Sequence, residues 1–82
     1  VEKMALSKTE KIVSQFFIER EGEGILKDIK KIDFIDEGIL DSLDIVSLAA
    51  YLQNKFNKKI DVTKYETIQA FHNFNDIIKL IT

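Results

Sequence analysis

Apolar residues along this 82-residue chain fall into three stretches with helical spacing and one without. In the first, Ile12, Val13, Phe16 and Phe17 recur at steps of three and four, which places them on one face of a helix. Ser7-Lys8-Thr9-Glu10 ahead of them has the form of a capping box, with Ser7 as N-cap and Glu10 reaching back to its amide. Glu21-Gly22-Glu23-Gly24 then supplies a break, so this helix is expected to end near Glu21. A second helix is expected to open at Asp41-Ser42, both good N-cap types, and to run to about Asn57. Ile45, Leu48, Ala49, Leu52 and Phe56 make its core stripe, while Leu43, Val46 and Ala50 make a second stripe on a neighbouring face. Such excess apolar surface suits either a contact surface or a wide core face.

The last periodic stretch carries Ile68, Phe71, Phe74, Ile77, Ile78 and Ile81, and Thr67 is placed to cap it as one helix. Between Ile60 and Glu66 there is room for a turn or two of helix. From Ile25 to Leu40 the apolar residues are scattered among charges, which predicts a long connection with a helical turn inside it, packed over the core by its own side chains. No alternation is long enough for a sheet, and the chain has no proline. The fold class is all-α, in three main helices and one short one.

Composition narrows the function more than the fold. With 45% hydrophobic and 32% charged residues the chain is ordinary globular material, and 82 residues make one domain, 1–82, with residues 1–5 (Val1-Glu2-Lys3 and Met4-Ala5) as a flexible tail. There is no cysteine, and the single histidine, His72, holds no metal unless several carboxylates join it; no metal site is expected. His72 itself is expected on the polar side of the last helix, as a solvated residue. No apolar run approaches the roughly 18–20 residues of a membrane span, and a basic-then-apolar leader is lacking, so the expected location is cytoplasmic.

Charge is unevenly placed. Between Ile32 and Asn54 stand five acids (Asp33, Asp36, Glu37, Asp41, Asp44) and no lysine or arginine, while all 12 basic residues lie elsewhere. That segment repels nucleic acid and attracts a partner with a basic patch, although a solvated charged face is the commoner origin of such a cluster.

Asp36-Glu37-Gly38-Ile39-Leu40-Asp41-Ser42-Leu43-Asp44 is the informative stretch. Asp41-Ser42-Leu43 resembles the Asp-Ser-Leu signature of acyl carrier proteins, at the start of the second helix as in that family, and Thr67-Ile68-Gln69 resembles the Thr-Val-Gln that opens the family's last helix. The tripeptide alone is weak; together with length, helix order, long first loop and acidic surroundings it becomes specific, and the likeness runs from about Leu6 to Ile81. It implies a small four-helix bundle of the acyl-carrier type, and 4'-phosphopantetheine carried covalently on Ser42. Acyl groups would ride on that arm as thioesters, in a pathway such as fatty acid biosynthesis. A phosphopantetheinyl transferase, an acyl- or aminoacyl-loading ligase or transferase and acyl-processing enzymes would be the partners of a monomer. Asp36, Asp41, Leu43, Asp44, Val46 and Ala50 would form the docking surface. A serine at a helix start suits the phosphate, since the helix amides and dipole point toward it.

Two departures stand out. Where general fatty acid carriers have glutamates along the second helix, this chain has Ser47, Gln53, Asn54 and Lys55, and the segment before Thr67 is shorter by about three residues. Both imply a dedicated carrier of a specialised pathway. The alternative is a helical interaction module without a prosthetic group, using the same Leu43 and Val46 face. An enzyme fits least, with no glycine-rich loop and too little expected volume for a cleft of about 300 Å³.

Overall fold

Ser7 starts the chain's first helix as expected. In the computed structural model, which describes residues 6–82, Ser7 Oγ accepts the Glu10 N–H at 3.1 Å and Glu10 Oε1 accepts the Ser7 N–H at 2.9 Å. The tail at residues 1–5 lies outside the described residues. Helix α1, Lys8–Glu21, buries Val13, Ser14 and Phe17 and stops at Gly22, whose φ of +89° suits a residue without a Cβ. A 3-10 turn, Glu23–Lys27, and a run of turns follow. This long connection is held down by Ile29, Phe34 and Leu40, all buried. Phe34 stacks on Phe17 with ring centroids 4.3 Å apart, fixing the loop to α1.

Helix α2, Ser42–Phe56, turns Leu48, Ala49 and Leu52 inward. Tyr51 donates from its hydroxyl to the Ile12 carbonyl at 2.6 Å, which ties α2 to α1. Asn57 ends the helix in the left-handed region, φ +54°, where asparagine is among the more tolerant residues.

The carboxyl-terminal part departs from the expected single helix. It forms α3, Tyr65–Ala70, and α4, Phe74–Ile81. Thr67 lies inside α3 and caps nothing; the short helix starts at Tyr65 and takes in Ile68, and the cap of α4 is Asn73, which accepts the Asp76 N–H at 2.9 Å. At the break the Phe34 N–H donates to the His72 carbonyl at 2.7 Å and ties the turn to the long loop. Among the described residues the fold is all-helical, a four-helix bundle whose single core takes side chains from α1, the loop, α2 and α4. No helix among them is long and apolar enough to cross a membrane.

Candidate functional site

The chain enters α2 through Asp41, whose extended backbone lets its side chain fold over the first turn. Asp41 Oδ1 accepts the Asp44 N–H at 2.9 Å, and Asp44 Oδ2 accepts the Asp41 N–H at 3.1 Å, a second capping box. The Asp44 N–H foremost, then the Asp44 side chain, the Leu43 N–H and the nearby Arg20 charge, hold the Asp41 carboxyl below the usual carboxylate range. Asp41 therefore does the capping and Ser42 is the first helical residue.

Freed from that duty, Ser42 is exposed, and its hydroxyl makes no hydrogen bond among the described residues. Beside it runs a groove of about 540 Å³. Ile35, Leu40, Ile45 and Ile68 form its apolar side, and Gln69 and His72 its polar side. Of the six phenylalanines, Phe17, Phe34, Phe71 and Phe74 are fully buried in the core and Phe16 and Phe56 half-buried.

Most of the expected docking residues are exposed. Leu43 is 78% exposed and Val46 55%, and Ala50 and Asp36 are exposed too. Asp44 is more committed. Its side chain is only 16% exposed and is ion-paired with Arg20 of α1, whose guanidinium lies over the Phe16 ring at 5.3 Å. Arg20 stands 24 residues upstream of Asp44, and nothing in the local pattern announces the pairing.

His72 differs from the expectation of a solvated position on a helix. It lies in the turn between α3 and α4, half-buried, with Nδ1 2.8 and 3.0 Å from the two Asp33 carboxylate oxygens. The Asp36 N–H first, then the His72 side chain and the Ile35 N–H, lower the Asp33 pKa. Besides the groove at Ser42, an open surface furrow of about 660 Å³ runs along α3 and α4. Both lie between helices on the surface, where packing of the core leaves gaps.

A family profile described as the phosphopantetheine attachment site matches residues 23–81. No curated protein and no solved structure gives a significant match. The matched stretch runs from the 3-10 turn to the last residue of α4, well over half of the chain, and takes in the exposed serine, its groove and the outward face of α2. The chain thus belongs to the phosphopantetheine attachment family, as a carrier domain of the acyl-carrier type for which 4'-phosphopantetheine is the covalent, serine-linked group.

Proposed function

We propose that Ser42 is the attachment serine and that residues 1–82 act as one non-catalytic, monomeric carrier domain, presenting acyl or aminoacyl groups to partner enzymes of a specialised pathway. The observation that carries this reading is the exposed Ser42 hydroxyl at the first position of α2, with the cap taken over by Asp41. A bulky phosphodiester fits there, because the hydroxyl borders an open groove and breaks no internal bond when esterified.

When attached, the arm supplies a terminal thiol that holds the acyl group as a thioester. The chain's own residues do the rest. The Asp41 and Asp44 capping box fixes the first turn of α2, so Ser42 is held at a defined point on the rim. Exposed Asp36 and Asp41 attract the basic surface of a transferase or loading enzyme and speed encounter more than they tighten the complex. Leu43, Val46 and Ala50 offer an apolar strip for a partner to cover. The apolar side of the groove gives a short acyl chain partial shelter.

Absence of glutamates beyond Asp44 on α2, together with the Arg20 to Asp44 ion pair, leaves the docking surface acidic only at the rim and at Asp36. That supports a dedicated loading enzyme over the general fatty acid machinery. Incubation with coenzyme A and a broad-specificity phosphopantetheinyl transferase is expected to add one phosphopantetheine to the chain and none to Ser42→Ala. An unmodified wild-type chain favours the interaction module instead.

A further inference from the structure

Away from Ser42, three metal-ligating side chains converge where the long loop meets the α3–α4 turn. Asp33 and Asp36 come from the loop and His72 from the turn, and one ligand atom from each lies within 4.8 Å of the others. The two segments are joined by main chain, through the Phe34 N–H to the His72 carbonyl. Asp33 Oδ1 is itself oriented by the N–H groups of Ile35 at 3.2 Å and Asp36 at 2.9 Å. The donors are therefore gathered by the fold and not only by their own charges. Histidine lacked carboxylate partners in the sequence pattern; the tertiary structure brings it two.

We propose that Asp33, Asp36 and His72 form a binding site for a first-row divalent transition ion of the zinc class. One imidazole nitrogen and two carboxylate oxygens are the donor set such ions accept, with bonds of about 2.0–2.2 Å. On a tetrahedral ion, ligand atoms with those bonds stand about 3.4 Å apart. Asp33 and His72 stand nearer than that because Nδ1–H donates to the Asp33 carboxylate; an ion replaces that proton, so the pair opens by about 0.6 Å while exposed Asp36 closes in from within the 4.8 Å spread. Coordination through His72 Nδ1 breaks its hydrogen bond to Asp33 and leaves the ring proton on Nε2, the Nδ1 proton being lost to solvent.

Asp33 and His72 also line the α3–α4 furrow, whose walls add the carboxylates of Glu66 and Asp76. Lys79, the cation on that wall among the described residues, is drawn to Asp76 at 3.7 Å. Water completing the coordination has room there, and the surrounding potential favours a cation. Calcium and magnesium fit less well, since they demand six or more oxygen ligands. A bound ion would clamp the loop bearing Ile35 to the turn bearing His72, two walls of the groove beside Ser42. Zinc occupancy thereby stiffens that groove.

Isothermal titration of the tag-free, unmodified 82-residue chain with zinc chloride tests this without reference to Ser42. Saturable uptake of one ion per chain is expected, with a rise of several degrees in Tm at saturating zinc. Asp36→Asn and His72→Gln should each weaken uptake about tenfold or more. Asp36→Asn keeps the Asp33 to His72 contact and the main-chain bonds, so it reports on ligation even if His72→Gln folds poorly. Failure to take up zinc, undiminished uptake by Asp36→Asn, or an equal response to calcium overturns the site.

Discussion

The two faces of α2 are both apolar, yet the fold treats them oppositely. Leu48 and Leu52 are fully buried and Ala49 nearly so, whereas Leu43 and Val46 stand mostly in solvent. Burying a leucine side chain stabilises by about 1.5–3 kcal/mol over leaving it exposed. The inward face therefore holds the bundle together, and the outward face contributes nothing until another molecule covers it. Apolar spacing alone does not separate these roles. What separates them is that α1 packs on the inward side, through Tyr51 to Ile12, with the loop stacked on α1 in turn through Phe34 to Phe17, while Ser42, Leu43 and Val46 stay exposed.

Several substitutions sharpen that contrast. The largest effect belongs to Ser42→Ala, which should abolish phosphopantetheine loading completely, by intact-protein mass spectrometry, while urea unfolding moves by no more than about 0.5 kcal/mol. Modification persisting on another hydroxyl would shift the site away from the rim of α2. Next comes Leu52→Ala on the inward face. It should cost about 2–5 kcal/mol in the same urea experiment, with loading of the folded fraction unchanged. If Leu52→Ala and a truncation of Leu43 cost the same, the division of the helix into two faces is wrong.

A smaller effect separates capping from presentation at the start of α2. Asp41 has a folded-state pKa below its ordinary 3.8, chiefly through the Asp44 N–H. Its contribution to stability is present above the unfolded-state value and is lost as pH falls through the lower folded-state value. Glu10, held down first by the Ser7 N–H, and Asp61, held down first by the Thr63 hydroxyl, act in the same direction. The chain should lose stability below about pH 4. Asparagine caps as well as aspartate at neutral pH, so Asp41→Asn should leave the pH 7 melting temperature nearly unchanged and make the acid limb shallower. An unaltered acid limb would show that the capping carboxylate is not titrating there.

Much of this was legible from local chemistry. Ser7 with Glu10 marks the start of α1, Leu48, Ala49 and Leu52 of the expected α2 stripe are buried while Ile45 and Phe56 are half-buried, and the loop packs by its own apolar residues. Local signals were missed where several of them competed. Asn73-x-x-Asp76 is itself a cap pattern, yet the periodicity from Ile68 to Ile81 runs through it, and the break coincides with both that cap and the Phe34 to His72 hydrogen bond. Arg20 with Asp44, and Asp33 with His72, join residues 24 and 39 positions apart. Pairings of that kind arise from the packing of whole helices, and no window of sequence contains them. Ser42 as attachment point and the outward residues as docking surface are expectations from resemblance and pattern, whereas the groove's polar wall of Gln69 and His72 comes only with the break between α3 and α4.

The smallest effect on stability tests the outward face most directly. Leu43→Asp and Val46→Asp replace side chains that are 78% and 55% exposed, so each should change unfolding free energy by no more than about 0.5 kcal/mol. Binding should respond differently, because a partner that covers this strip has to desolvate the new carboxylate without a matching group. A phosphopantetheinyl transferase reading the strip should show a higher KM for both variants, with Leu43→Asp the more affected since it lies beside Ser42. Adding charge could in principle speed encounter with a basic partner, which is why salt dependence belongs in the measurement. If the added acid merely strengthens steering, KM falls at low ionic strength and returns to the wild-type value when salt is raised. If the apolar contact matters, KM stays high at every salt concentration, and an isosteric Leu43→Met change restores it. Unchanged KM in both aspartate variants would leave the exposed stripe of α2 as surface without a reader.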